Sequence, residues 1–269
     1  MVTFTAAGDG DVTVSSVTVA RQGLGADGAF SEIILLDENM DQLGLAKTLN
    51  ALHQVVLNEK FTVKAGTSRT LIIAANMASS VNAGERPKLA VVAVDAGTSA
   101  VTGLPIVGID MSMNNSLVIG TLDSPTRGAT DPGAARGNLD VGTKTFTAAA
   151  IKFTAGSVEP IVVEKVRFYQ AGSAASGDIK NVKVVIGSTE YDTTVSSDGK
   201  YYVATLTTAQ EVAKGANIEL AIKVDVESGS NRTIDLDLQK RTDIVAKGKT
   251  YGFYITAGTS GLSSGAAAA

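Results

Sequence analysis

The chain has 269 residues, of which 44% are hydrophobic and 19% charged, and its net charge is −4. This length and apolar content suffice for two domains, each with its own core, while the scarcity of basic residues argues against nucleic-acid binding. The absence of cysteine excludes disulfides and thiolate chemistry, and no apolar stretch approaches the roughly 20 residues of a transmembrane segment.

The sequence contains a tandem repeat with an offset of 149 residues (from Phe4 to Phe153). The same offset carries Gly66 onto Gly215 and, with no gap, matches the chain from Phe4 to about Met77 with its second copy. A fixed period is the signature of one structural module repeated along a chain. We therefore predict two domains of like design.

Near-alternating apolar residues predict strands in both copies. The one extra residue between Val14 and Val17, in a run that otherwise alternates, indicates a bulge in the first of them. Residues 41–57 also show helical spacing, but their copy contains Asp198-Gly199, a hairpin signal, so strands are predicted there too. The other predicted strands are 12–21, 30–36, 69–75 and 88–94, then 161–169, 179–186, 218–226 and 234–238.

Many short strands separated by turns predict an all-β chain made of two tandem Ig-like antiparallel β-sandwich domains. The predicted boundaries are 1–123 for the first sandwich, 124–141 for a connector rich in Gly and Pro, 142–260 for the second sandwich and 261–269 for a flexible tail. Residues 116–121 have no counterpart strand in the second copy. The second domain is therefore expected to lack a closing strand.

Several segments resemble the tandem β-sandwich repeats of bacterial cell-surface and surface-layer-like proteins. They are Phe153–Gly156, Ile161–Val166 and Asn181–Val184, together with turn-like elements at 64–71 and 101–103. The resemblance covers most of both copies. It implies a structural, extracellular protein built for extended arrays or stalks.

A glycine-rich loop over residues 23–28 matches the G-x-G-x-x-G pattern of dinucleotide sites. Such a site needs a helix next, whereas a strand is predicted at 30–36, so a hairpin loop is favoured. His53 is the only histidine and aligns with Tyr202, which favours a structural role over catalysis.

Asp37, Asn39 and Asp41 present oxygen ligands at alternate positions, as a calcium loop does. Gln42 and Thr48 occupy the positions where an EF-hand needs Gly and Glu, so that motif is excluded. A looser calcium site at a strand turn remains the only cofactor hypothesis. The alternative is an ordinary solvated turn.

Two further features bear on rival functions. Asp235 and Asp237 could act as paired carboxylates of a glycosidase, but a solvent-facing strand is favoured. All six tyrosines lie at or after Tyr169, which places any glycan-binding surface in the second domain, although core tyrosines are the simpler explanation.

The function predicted from the sequence is therefore structural and not enzymatic. Copies of the chain are expected to assemble into a surface layer, stalk or filament, with the first strand, Val2, Thr3, Phe4 and Thr5, pairing with a neighbouring subunit. The alternative is an adhesin or glycan-binding module that recognises a cell-envelope glycan on a cell or virion surface.

Overall fold

A computed structural model describes residues 1–133, 137–258 and the backbone of 267–268. The chain is all-β and every strand pair in the described ranges is antiparallel, which confirms the predicted fold class. It divides into two compact units, Met1–Val118 and Ile119–Ala269.

The first unit contains ten short strands. They are β1 (Val2–Thr5), β2 (Val12–Val14), β3 (Ser16–Leu24), β4 (Phe30–Leu36), β5 (Gln42–Lys47), β6 (Gln54–Leu57), β7 (Phe61–Val63), β8 (Ser68–Met77), β9 (Arg86–Asp95) and β10 (Ile106–Val107).

Two four-stranded sheets form this unit, in the orders β1-β8-β4-β5 and β10-β9-β3-β6, and β2 pairs with β7. Alternate residues of each strand point to one face, so each sheet has an apolar side. Ile33 and Leu71 from one sheet and Val17 and Val91 from the other belong to a single buried cluster. The two sheets therefore enclose one core, as in a sandwich.

The second unit contains the remaining strands. They are β11 (Leu122–Arg127), β12 (Phe146–Ala155), β13 (Ile161–Gln170), β14 (Ile179–Ile186), β15 (Thr189–Asp192), β16 (Thr194–Val195), β17 (Tyr201–Val212), β18 (Asn217–Val226), β19 (Thr233–Ile234), β20 (Leu236–Asp237), β21 (Ile244–Gly248), β22 (Tyr254–Ile255) and β23 (Ala267–Ala268).

Its main sheets have the orders β11-β12-β18-β14-β15 and β16-β17-β13-β21-β22. β20 also pairs with β13, and β19 pairs with β23. Phe153 and Leu220 from the first sheet share a buried cluster with Phe168 and Tyr202 from the second. This unit is thus a second, larger sandwich.

The structure reproduces the repeat of the sequence. β8 and β18 cover residues 68–77 and 217–226, the same positions under the 149-residue offset. The predicted bulge is confirmed in the second copy as the register shift between Val163 and Lys165 in β13. In the first copy the chain is instead interrupted at this place, between β2, which pairs with β7, and β3, which pairs with β6 and β9. The ambiguous segment forms β5 and β6, and Asp198-Gly199 lies in the turn between β16 and β17, as predicted.

The predicted connector differs from what is observed. Residues 122–127 form β11, which pairs with β12 as the outermost strand of the second unit. Leu122 is buried in that unit's core, and Pro125 lies where the register between the two strands shifts. Proline is tolerated in an outermost strand because its missing N–H is not needed by the sheet. The Pro and Gly content of the segment therefore predicts a connector where the structure has a strand.

The expectation of a missing closing strand in the second unit is wrong. Residues 116–121 form no strand in the first unit, so nothing in the second is missing. The corresponding edges are closed by β10 on β9 and by β22 on β21. The flexible-tail prediction for 261–269 lies outside the described residues apart from β23.

Candidate functional site

The first strand, β1, is firmly anchored in the first unit. The side chains of Val2 and of Ala6, the residue after the strand, are buried, and the Phe4 ring packs edge-on against Phe61 with centroids 5.1 Å apart. On its outer face, Thr3 Oγ1 lies 2.9 Å from the hydroxyl oxygen of Thr70 on β8. β1 is therefore part of the fold and not a detachable arm.

The other side of β1 presents unpaired backbone groups. Ala6 N–H donates to the Thr67 carbonyl at 3.0 Å, which directs the backbone of Ala6 toward β8. Backbone direction alternates along an antiparallel strand, so the N–H and C=O groups of Thr3 and Thr5 point away from β8. Within the described ranges β1 pairs with β8 alone, and these groups face an open edge.

The edge of β1 also lacks the usual protection against pairing. Proteins protect edge strands with charged residues, proline or bulges. Three other edge strands contain such a residue: β5 ends at Lys47, β11 contains Pro125 and β15 contains Glu190. The four-residue edge strand β6 contains none, but Lys47 Nζ donates to its Val56 carbonyl. The segment Met1–Ala7 contains no charged side chain and no proline.

An apolar groove of about 280 Å³ opens beside this edge, between β1 and β8 of one sheet and β9 and β10 of the other. Met1 and Ile109 line it and are 88% and 85% exposed. Met77 and Val107 also line it and are about half exposed. Large apolar side chains gathered at one exposed place mark an interaction surface.

In the second unit, the edge equivalent to that of β1 is covered by another strand. β12 corresponds to β1 under the repeat, and β11 pairs along its outer side. Gly156 N–H donates to the Thr121 carbonyl at 3.0 Å, and Gly128 N–H to the Ala150 carbonyl at 2.8 Å. Leu122 at the start of this covering strand is 0% exposed. The repeat therefore shows which kind of element occupies this position.

The proposed calcium ligands lie in the turn between β4 and β5. Asp37 Oδ1 accepts hydrogen bonds from the N–H groups of Asn39 and Asp41, at 2.8 and 2.9 Å. Met40 in the same turn has a φ of 65°, and its N–H donates to the Asp37 carbonyl. One carboxylate oxygen of Asp37 thus holds the turn, and calcium binding by these three residues remains a prediction.

The glycine-rich loop leads into a strand, as predicted, through a three-residue 3-10 turn at Asp27–Ala29. The loop is not a hairpin, however, because β3 and β4 lie in different sheets. Asp27 accepts hydrogen bonds from Arg21 Nε at 2.7 Å and contacts His53 Nδ1 at 2.6 Å. Burial alone would raise the pKa of Asp27, but the hydrogen bonds from His53 and Arg21 outweigh it and lower the pKa. The histidine therefore helps to fix this loop.

The paired carboxylates do not lie on a solvent-facing strand as the sequence suggested. Asp237 is buried in β20, and the Asp235 N–H donates to Gln170 Oε1 at 2.8 Å. The neighbouring Leu236 and Leu238 are buried as well, so both faces of the segment are covered. A covered segment of this kind is part of the core.

A second set of exposed apolar residues occurs at the turn between β21 and β22. Tyr251, Phe253 and Tyr254 are 44%, 53% and 53% exposed. By contrast, Tyr191, Tyr201 and Tyr202 are buried, as expected of core tyrosines. The aromatic turn is the part of the second unit that could stack on a flat ligand.

Buried carboxylates that bind loop backbones were not identified from the sequence. Glu159 is 1% exposed and accepts hydrogen bonds from the N–H groups of Gly120, Thr250 and Tyr251 at 2.8–3.0 Å. Glu219 accepts from the N–H groups that follow β11. No local pattern distinguishes these residues from solvated ones, because the loops that they bind are distant in sequence.

Among the described residues, no group of three or more His, Cys, Asp or Glu side chains is placed to hold a metal ion. In the same ranges no helix is long and apolar enough to cross a membrane.

The sheets and cores define an all-β protein of two antiparallel sandwich units. No family model matches the chain, and no curated protein matches it. Among solved structures, the chain is similar to the AgI/II polypeptide BspA C-terminal domain of Streptococcus agalactiae, with 11% identity and a TM-score of 0.21. That match covers 92% of this chain and 82% of the other. A TM-score of this size supports no conclusion about fold or function.

Proposed function

We propose that the chain is a structural, non-enzymatic protein of the extracellular surface, and that its copies assemble through strand-edge contacts into a layer, stalk or filament. The observation that carries the proposal is the open edge of β1, with outward backbone groups at Thr3 and Thr5. Unpaired strand edges favour pairing with another chain. The apolar groove beside the edge adds surface that association would remove from water.

The ionisable groups of the second unit support a structural role. Glu159 and Glu219 are engaged by backbone N–H groups, and Asp178 accepts from Ala175 N–H, Ser228 Oγ and Arg232 Nη1. Carboxylates used in this way hold loops in place. These three carboxylates therefore contribute to the fold of the second unit.

The assembly proposal is tested on the full chain over a wide concentration range by sedimentation velocity and negative-stain electron microscopy. We expect species larger than the monomer that grow with concentration. A chain that stays monomeric throughout would overturn the proposal. Deletion of residues 1–10 is a poor test, because it removes Val2 and Ala6 from the core.

The same samples test the calcium hypothesis when they are prepared with calcium or with a chelator. If Asp37, Asn39 and Asp41 bind calcium, the ion raises the unfolding temperature of the first unit, since a ligand that binds only the folded state stabilises it. The variant Asp41→Ala should abolish that increase. An unfolding temperature that does not respond to calcium rejects the site.

A glycan-binding module is the second candidate function, favoured by the exposed aromatic turn at Tyr251, Phe253 and Tyr254. Glycan-array binding by the full chain would support it, provided that Tyr254→Ala reduces binding. Val195→Ala, at an exposed apolar residue elsewhere in the unit, is the matched control. Absence of binding, or equal binding by both variants, rejects this candidate.

A further inference from the structure

The repeat provides a template for what covers the open edge of β1. In the second unit an antiparallel strand, β11, covers the equivalent edge, with Leu122 opposite Ala155 and Asp123 opposite Thr154. Under the repeat offset, Ala155 corresponds to Ala6, the residue after β1, and Thr154 corresponds to Thr5. The geometry of this edge therefore accommodates a further antiparallel strand, and an apolar side chain opposite Ala6 would be buried.

We infer that the occupant is β1 of a second copy of this chain, so that two copies pair edge to edge about a two-fold axis at Phe4. The inference rests on the proposed function and names the partner of its strand-edge contact. Two-fold contacts use the same surface on both subunits, so each copy covers the open edge of the other. Such a contact closes at two copies, so a layer, stalk or filament needs a second contact elsewhere on the chain. β1 of each copy can then pair with the other copy without leaving its own sheet, which agrees with its anchoring in the first unit.

The backbone directions fix the register of the pair. Only residues whose N–H and C=O groups face outward can exchange hydrogen bonds across the new contact. In β1 these are Thr3 and Thr5, and the symmetric register with the greatest overlap places Thr3 of one copy opposite Thr5 of the other. Phe4 then lies opposite its own equivalent. Val2 of the second copy lies opposite Ala6, the position that Leu122 occupies in the template.

The absence of charged side chains on β1 also fits a second copy. Like charges opposite each other destabilise a strand pair, and Met1–Ala7 contains no charged side chain. With the two-fold axis at Phe4, Met1 of one copy lies opposite Ala7 of the other, so each groove lies at one end of the paired segment.

The absence of cysteine allows a direct test of the register. Two single variants of the full chain, Thr3→Cys and Thr5→Cys, are mixed in equal amounts, oxidised and analysed by mass spectrometry. Both positions are exposed, so the substitutions leave the core intact. Directly opposite residues lie about 5.5 Å apart, within the disulfide range, whereas same-site pairs are offset by two residues.

We expect the mixed dimer between positions 3 and 5 to exceed either same-site dimer by about tenfold, since only that pair has disulfide geometry. Thr194→Cys, on the exposed edge strand β16, measures random collision. Equal amounts of all dimers, or yields no higher than that control, would overturn the inference.

The inference and the proposed function can fail separately. Large assemblies with no mixed disulfide would leave the function standing and reject the β1 pair. A mixed disulfide in a chain that never exceeds a dimer would support the β1 pair and contradict assembly into a layer, stalk or filament.

Discussion

Single carboxylates stabilise long-range loop contacts in the second unit. Glu159 joins Gly120, at the start of that unit, to the turn that contains Thr250 and Tyr251. Burial alone would raise the pKa of Glu159, but the three backbone hydrogen bonds outweigh it and lower the pKa below its usual value. The ionised form is therefore the form that the fold prefers.

The variant Glu159→Gln should lower the free energy of unfolding of the second unit by about 1–3 kcal/mol at neutral pH. A glutamine amide has one acceptor oxygen, so at least one buried N–H loses its charged partner. All six tyrosines lie in the second unit, so tyrosine fluorescence during urea unfolding reports on that unit alone. Glu211→Gln, which changes an exposed Glu paired with Lys249, should have little effect.

The effect of Glu159→Gln should also depend on pH. Because the folded pKa lies below the unfolded value of 4.5, ionised Glu159 adds stability above pH 4.5. That stability is lost as the pH falls through the folded pKa, so the wild-type and variant curves should converge in acid. A difference that stays constant down to strongly acidic pH would contradict the role of the charge.

At the buried Tyr202, in contrast to Glu159, removal of the polar group should not lower the free energy of unfolding. Burial raises the pKa of Tyr202 to about 12, and within the described part of the chain its hydroxyl has no hydrogen-bond partner. Tyr202→Phe should therefore be neutral or raise the free energy of unfolding by about 1 kcal/mol. Tyr191→Phe is the matched comparison, because the Tyr191 hydroxyl donates to the Thr208 carbonyl at 3.2 Å and should cost about 1 kcal/mol when removed. Chemical denaturation followed by far-ultraviolet circular dichroism distinguishes the two, and a clear loss for Tyr202→Phe would contradict this environment.

At the scale of the strand, β1 and β12 differ in what lies beyond them. β12 is covered by β11, whose Pro125 and register shift discourage further pairing. β1 has neither a cover nor such a device within the described residues. Among the described residues, the edge strand is therefore covered in the second copy of the module and uncovered in the first.

Thr3→Pro should weaken self-association at least tenfold while the chain stays folded. The Thr3 N–H faces outward, so proline removes a hydrogen-bond donor from the new contact but none from the β1–β8 ladder. Sedimentation equilibrium measures the association constant, and circular dichroism checks the fold. Thr3→Ser keeps the backbone donor and the hydroxyl, and it should associate like the wild type. Equal association of the proline variant would show that another surface is used.

Strands were predictable where both copies carry the same pattern, and less so where only one copy does. The bounds of β4 and the bulge in β13 follow from a pattern of alternating apolar residues that occurs in both copies of the repeat. The sequence predicts a connector over 124–127 of β11 because the Pro and polar residues match a loop, and it places Leu122 in the first sandwich. Only the pairing of β11 with β12 shows that Leu122 belongs to the core of the second unit. The open edge of β1 depends on strand order, which local sequence does not encode.

At the scale of the whole molecule, each unit has its own core. One buried cluster contains residues of the first unit only and another contains residues of the second only. Separate cores of this kind permit separate unfolding. We therefore expect the fragment 119–269 to fold alone, with the same urea midpoint by tyrosine fluorescence as in the full chain. A fragment without a cooperative transition would contradict this independence.

Amide hydrogen exchange of Thr3 and Thr5, measured by NMR over a range of chain concentrations, tests the central claim most directly. If β1 edges pair between copies, both amides exchange more slowly as the concentration rises, because each becomes a donor to the second copy. If both exchange rapidly at every concentration, even where the chain is associated, the open edge of β1 is not the assembly surface.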